Sequence, residues 1–304
     1  NTNTPQVWLP PAERTDFPIV KRVIAADERA RGFLSSMGLT EPDVVDEVLT
    51  RVLPKYAGSP SVSKEEHQED LQKIVRAFST AAAAKRQQLG ERLPNATFLR
   101  AFNATTKKVA FKSPVSIYVS SPELELYFEG NSRTWFLSEE YAAFREQLRV
   151  CGVRLDVSVN GRKAGHGDYV EAPRRRGQHH RGLNGFDPDA TIDGLEHALT
   201  RMSQAKAEFI WNKLLIPNQR LISGGVERCS RATFVGSIKE EMVSPIGGLL
   251  RKHAWLPDRD GHFRRPSELS VEDLPDDFKR HDPLVTDALA KKLGMKSTAV
   301  ATLA

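Results

Sequence analysis

The sequence predicts an α+β fold, rich in helix, made of two or three packed modules that contain a divergent internal repeat. Three observations predict it. Apolar stripes at helical spacing dominate the first ninety or so residues. Short β-branched and aromatic runs, broken by Pro and Gly, follow Pro94. A small set of landmarks then recurs in the same order at both ends of the chain. The 304 residues are enough for more than one core. The expected modules are a mainly helical one over 1–95, an α+β one over 96–181 ending in a basic loop, and a helical one over 182–304.

The elements follow in chain order. Thr40 to Leu53 reads as a helix: Thr40 as N-cap, Pro42 and Asp43 in the first turn, then Val44, Val45, Val48, Leu49, Val52 and Leu53 on one stripe, stopped by Pro54. Ser63 and Glu66 have capping-box spacing, and Leu71, Ile74, Val75 and Phe78 continue a second helix that Gly90 is expected to end. Val115–Val119, Leu124–Phe128 and Arg133–Leu137 read as short strands. Glu139–Val150 returns to helix, and Val153, Leu155, Val157 and Val159 alternate as a half-buried strand. Asp187-Pro188 is expected to open a helix that carries Ile192, Leu195 and Leu199. Arg231–Val235 reads as a weak strand, and a last helix spans about Pro283 to Leu293.

The repeat has three parts. Trp8-Leu9-Pro10 and Trp255-Leu256-Pro257 each precede an apolar helix closed by Gly and a hydrophobe, at Gly38-Leu39 and Gly294-Met295. In the middle, Phe111-x-x-Pro114 with Ile117 matches Phe263-x-x-Pro266 with Leu269, Leu148–Val153 matches Leu34–Leu39, and Phe102 or Asn103 falls where the Trp would stand. Each part has an architectural reason. The indole buries a large area, Pro fixes an extended bend, and Gly takes the left-handed conformation at a helix end. The structural anchors are therefore Trp8, Gly38, Pro114, Trp211, Trp255, Pro266 and Gly294. The chain has no initiator Met and its third unit stops short at Ala304, so it reads as an excised part of a larger, repeat-containing protein.

Charge is uneven. The formal charge is +5, and Gly161–Arg181 alone holds Arg162, Lys163, Arg174, Arg175, Arg176 and Arg181 against Asp168 and Glu171. Such a patch contacts phosphate or nucleic acid, or is a solvated loop; without interleaved aromatics the loop is the expectation. Gly161–Gly167 lacks the Gly-Lys-Ser/Thr ending of a phosphate loop, and His166, His179 and His180 stand at no metal-ligand spacing. Pro257-Asp258 with Asp277-x-Lys279 imitates a metal-dependent nuclease, but Asp277 sits in an acidic turn. No catalytic, cofactor or metal residue is expected. Two cysteines, Cys151 and Cys229, fit a reduced, cytoplasmic compartment rather than a disulfide scaffold. No apolar run is long enough to span a bilayer.

Three stretches carry a resemblance: Gly185-Phe186-Asp187-Pro188-Asp189 with Gly194-Leu195-Glu196; Phe209-Ile210-Trp211-Asn212; and Trp255-Leu256-Pro257-Asp258 through Gly261, Phe263, Pro266, Leu269, Leu274-Pro275 and Phe278. Together they resemble the central regions of large bacterial proteins with a sacsin-like N-terminal ATP-binding domain of the gyrase, heat-shock chaperone, histidine kinase and MutL class. The resemblance is best over 182–295 and extends to 98–152. That family's nucleotide site needs Glu-x-x-Asp-Asn and then Asp-x-Gly-x-Gly, and neither is present here. The resemblance thus implies ATP and magnesium only for a domain outside this chain. For the chain itself it implies a non-catalytic scaffold or transducing segment, with other domains of the parent protein and a protein client as partners. The alternatives are a nucleic-acid-binding segment of a bacterial defence or repair protein and a cryptic metal-dependent nuclease.

Overall fold

The computed structural model describes residues 7–12, 15–58, 60–79, 82–164, 187–222, 226–231, 237–242 and 244–297. The fold is α+β, with many short helices and small sheets. The chain divides into two compact units, Asn1–Val119 with Trp135–Leu155, and Ser120–Thr134 with Asp156–Ala304. The divisions expected at residues 95/96 and 181/182 fall inside the first and second units, respectively.

In the first unit, α1 (Arg22–Ala25) and α2 (Glu28–Ser36) precede α3 (Val44–Glu47). The cap of α3 is Asp43 rather than Thr40, because Asp43 and Asp46 bond each other's backbone N–H in a reciprocal capping box. A π-helical turn, Val48–Val52, leads directly into α4 (Leu53–Lys55). Pro54 therefore lies inside the helical run instead of ending it. The wider turn accommodates a residue with no N–H, which a regular i→i−4 ladder resists. Ser63 caps α5 (Lys64–Ala77) through the Glu66 N–H, as the spacing predicts. The next helix, α6 (Ala83–Arg92), runs on past Gly90.

Four strands complete this unit: β1 (Leu99–Phe102), β2 (Val109–Lys112), β3 (Ile117–Tyr118) and, after an excursion into the second unit through α7 (Pro122–Tyr127), β4 (Trp135–Leu137). Their order is β2-β1-β4-β3, antiparallel except for the β3–β4 pair. The predicted strand Leu124–Phe128 is thus a helix. Ser121 caps it and Pro122 starts it, and that local N-terminal chemistry overrides the aromatic run. The expected helix Glu139–Val150 is a 3-10 stretch to Phe144 followed by α8 (Arg145–Val150). Val45, Val48, Ile74, Phe98, Ile117 and Leu148 are buried in one core that joins helices and sheet.

In the second unit, β5 (Val159–Ala164) pairs antiparallel with β6 (Asp187–Ile192). Asp187-Pro188 therefore begins a strand, where a helix start was expected. The next helices are α9 (Leu195–Ala198) and α10 (Gln204–Phe209), the latter continued by a π-helical turn, Ile210–Leu215. A backbone hairpin of β7 (Val226–Arg231) and β8 (Ser237–Met242) stands where only Arg231–Val235 was expected. Then come α11 (Pro245–Lys252), the short hairpin β9 (Leu256–Pro257) and β10 (Phe263–Arg264), and α12 (Pro283–Lys292). Trp211, Trp255 and Phe278, all fully buried, meet at the centre of the unit, with ring centroids 6.3 and 6.0 Å from Trp211. The Trp211 indole N–H donates to the Phe278 carbonyl at 3.0 Å.

Candidate functional site

The anchors come together as three helix hooks. In each, a helix ends on a glycine in the left-handed region: Gly38 at φ 89°, Gly152 at 103° and Gly294 at 71°. In each, the glycine N–H returns to the carbonyl three residues back, and the next N–H to the carbonyl five back: Leu39 to Leu34 (3.1 Å), Val153 to Leu148 (3.3 Å) and Met295 to Ala290 (3.0 Å). That is the Schellman closure of a helix end. Pro114 and Pro266 are buried, and each starts a 3-10 turn that delivers Ile117 or Leu269. The residue after each hook then donates to that apolar residue's carbonyl, Arg154 to Ile117 (3.1 Å) and Lys296 to Leu269 (2.8 Å). In the first hook Thr40 instead accepts from Leu9 (3.0 Å).

The aromatic of the middle unit is Phe98, not Phe102 or Asn103. Phe98 stands immediately before β1, as Trp255 stands immediately before β9, and both are fully buried. Asn103 instead caps the hairpin turn, its Oδ1 accepting the N–H groups of Thr105 and Thr106. Asp258 does the same after β9 for Asp260 and His262. This parallel between Asn103 and Asp258 is a further repeated position, legible only once the hairpins are seen.

A second cluster was missed from sequence. In the first unit Tyr56, His67, Asp70 and Tyr141 are all at most 3% exposed and form a continuous chain. The Arg100 N–H donates to the Tyr141 hydroxyl (2.9 Å), which lies 2.5 Å from His67 Nε2. His67 Nδ1 lies 2.8 Å from the Tyr56 hydroxyl, and that hydroxyl donates to Asp70 Oδ2 (3.1 Å). Lys55 closes the chain on both Asp70 oxygens at 3.1 Å. One assignment satisfies every group: a neutral imidazole with its proton on Nδ1, donating to Tyr56 and accepting from Tyr141. Burial holds the His67 pKa below the ordinary imidazole value, with Glu140 and Asp70 opposing it and Arg100 assisting. Burial likewise raises both tyrosines well above the usual phenol range. His67 is at helical spacing from Leu71 and Ile74, and this period is the only signal in sequence that it faces inward.

Of the basic segment, Arg162 is placed by its pairing partner. It lies opposite Asp189 in the β5–β6 register and donates to Asp189 Oδ2 at 2.6 Å. Asp189 is fully buried, and its other oxygen accepts the Ile246 N–H at the start of α11. Arg162 thus neutralises a buried carboxylate. Lys163 lies in β5, and Arg174, Arg175, Arg176 and Arg181 lie outside the described residues, as do His166, His179 and His180.

The nuclease-like pair has structural duties. Asp258 holds its hairpin turn and pairs with Arg264 (3.3 Å), while Asp277 pairs with Arg280. Asp258, Asp260 and His262 form the one group of three potential metal ligands among the described residues, and two of the three are exposed. Cys151 is buried, which pushes its thiol up to about 12 and makes it a poor nucleophile. A cleft of about 580 Å³ in the first unit is lined by Phe17, Asp43, Glu47, Lys73 and Arg76 among others, and Lys73 is paired with Glu47 at 2.8 Å.

Comparison with protein-family models, curated proteins and solved structures finds no match to this chain. No helix among the described residues is long and apolar enough to cross a membrane.

Proposed function

We propose that this chain is a non-catalytic scaffold or transducing segment of a large, sacsin-like ATPase, working in the cytoplasm with other domains of its parent protein and a protein client. The observation that carries this reading is the threefold helix hook. Its recurring residues (a buried aromatic and a left-handed Gly in all three, a Pro turn in two) fix backbone geometry and present no reactive groups. The buried His67 chain supports it too, since each of its polar groups is already partnered within the protein. Repeated units that fix the direction of a chain suit a segment that carries force or shape between domains.

Titration calorimetry of the chain with ATP and magnesium tests the reading. No heat of binding is expected, and micromolar binding would overturn it. The nucleic-acid alternative is separated by salt. Polynucleotide binding that falls steeply with ionic strength, and is lost in Arg174→Ser/Arg175→Ser/Arg176→Ser, would replace the scaffold reading with that one.

A further inference from the structure

The chain passes between the two units three times, at Val119–Ser120, Thr134–Trp135 and Leu155–Asp156. All three passages leave the first unit from one place. β3 and β4 run parallel, with Ile117 opposite Trp135 and Tyr118 opposite Phe136. Along its other edge β3 takes Arg154 as a further parallel partner, opposite Tyr118. There the Arg154 N–H donates to the Ile117 carbonyl (3.1 Å), and the Val119 N–H donates to the Arg154 carbonyl (2.8 Å). The Arg154 guanidinium also donates to the Tyr118 hydroxyl at 3.1 Å and lies 5.5 Å from the centre of its ring. Val119, Trp135 and Leu155 therefore end three neighbouring segments of one parallel ladder, and Arg154 is the residue that follows the middle hook.

The connection between β3 and β4 is the second observation. Parallel strands need a crossover, which ordinarily packs back on the sheet it serves. Here the crossover, Ser120–Thr134, belongs to the second unit. Its Leu124, Tyr127 and Phe128 are buried. The Tyr127 hydroxyl donates to the Asp193 carbonyl at 3.0 Å, and its ring lies 5.4 Å from that of Phe209. His197 Nε2 donates to the Glu129 carbonyl at 3.2 Å, and the buried Lys206 holds its ammonium 3.6 Å from the Glu129 carboxylate. Gly194, at φ 73°, lies so close to Phe128 that a Cβ would stand 2.6 Å from the ring. The crossover of one unit's sheet is thus seated firmly in the other.

We infer that the ladder of β4, β3 and Arg154 is the coupling point of the chain. A displacement of α7 in the second unit reaches β3 and β4 through the two ends of the crossover, and the Tyr118–Arg154 pair passes it to the middle hook. Both legs of the crossover are stiff enough to carry it. Only Ser120 separates Val119 from Ser121, whose side chain caps α7, and Pro122 fixes the first helical turn. On the other leg, the Asn131 N–H returns to the Phe128 carbonyl and the Arg133 N–H to Asn131 Oδ1, both at 2.9 Å. Strands tied by backbone hydrogen bonds shift together or break those bonds, which makes the ladder a two-state element that both units bias. This inference rests on the reading of the chain as a transducing segment and names the route that transmission takes.

The test is hydrogen–deuterium exchange of the full chain, read by mass spectrometry. Gly194→Ala drives a Cβ into the Phe128 ring and should displace the crossover. Exchange over 117–119, 135–137 and 153–155 should then rise about tenfold, while α3 and α5 of the same unit keep their protection. Gly294→Ala is the control. It is also left-handed and in the second unit, but its Cβ meets Arg251, so those three segments should not respond. Tyr127→Phe removes only the bond to Asp193 and should act as Gly194→Ala does, more weakly; it serves where Gly194→Ala does not fold. Coupling is reciprocal, so Tyr118→Phe, in the first unit, should raise exchange over 124–128. The inference is overturned by exchange that rises only within the second unit, by a rise spread evenly over the first unit, or by an equal rise in Gly294→Ala. It is overturned as well if 124–128 ignores Tyr118→Phe. Micromolar ATP binding in calorimetry would sink the scaffold reading and leave this coupling standing; uncoupled exchange would sink only the coupling.

Discussion

His67 Nε2 and the Tyr141 hydroxyl stand 2.5 Å apart and join residues 74 positions apart in sequence. The contact ties α5 to the segment that follows β4, and Tyr141 in turn accepts from the Arg100 N–H at the edge of β1. Tyr141→Phe removes one hydroxyl and leaves two partners unpaired, the buried His67 Nε2 and the part-buried Arg100 N–H. Each unsatisfied group costs about 1–3 kcal/mol. A urea midpoint should therefore fall with an unchanged slope. An unchanged midpoint would mean that water replaces the hydroxyl.

The same imidazole sets a pH dependence. Its pKa in the folded chain is lowered, so the unfolded chain binds more protons once pH falls below the ordinary value of about 6.5. Stability present above that value is lost as pH falls through it towards the folded pKa, with a slope of at most about 1.4 kcal/mol per pH unit for this one group. His67→Gln cannot titrate, and the decline between pH 7 and pH 5 should flatten in that variant. Parallel declines in wild type and variant would assign the acid sensitivity to other groups.

The α+β class and the hook were legible in sequence because both rest on local chemistry. Gly38, Gly152 and Gly294 each follow an apolar helix and precede a hydrophobe, and that pattern alone specifies the left-handed closure. Errors arose where one local signal opposed another. Pro54 reads as a stop, yet a π-helical turn carries the chain past it; Leu124–Phe128 reads as a strand, yet Ser121 and Pro122 start a helix. The His67 chain and the Arg162–Asp189 pair stayed hidden because their partners meet only through tertiary register.

The three hook glycines allow strain to be separated from contact. All three have φ between 71° and 103°, where a Cβ costs about 1–2 kcal/mol. Gly38→Ala meets no atom of the described residues within 4 Å, so it should cost the backbone term alone. Gly152→Ala meets Val115 Cγ1 at 3.0 Å and should cost more. Gly294→Ala meets the Arg251 side chain at 3.2 Å, a flexible neighbour that can shift, and should fall between them. Thermal melts of the three variants give the order directly. Equal losses would mean that the space above the glycine is irrelevant to the hook.

The two Trp-Leu-Pro indoles should respond in opposite ways to one substitution. Trp255 is fully buried with its N–H bonded to the Leu250 carbonyl, and Trp8 is 4% exposed with its buried N–H unpartnered among the described residues. Truncation of either to Ala removes a large buried ring and should cost about 3–5 kcal/mol. Replacement by Phe is the more telling change. Trp255→Phe loses a hydrogen bond of about 1 kcal/mol and orphans a carbonyl, whereas Trp8→Phe removes an unsatisfied donor that itself costs about 1–3 kcal/mol. Trp255→Phe should therefore lower the melting temperature, and Trp8→Phe should leave it unchanged or raise it. Equal losses for the two Phe variants would show that the Trp8 indole is already satisfied.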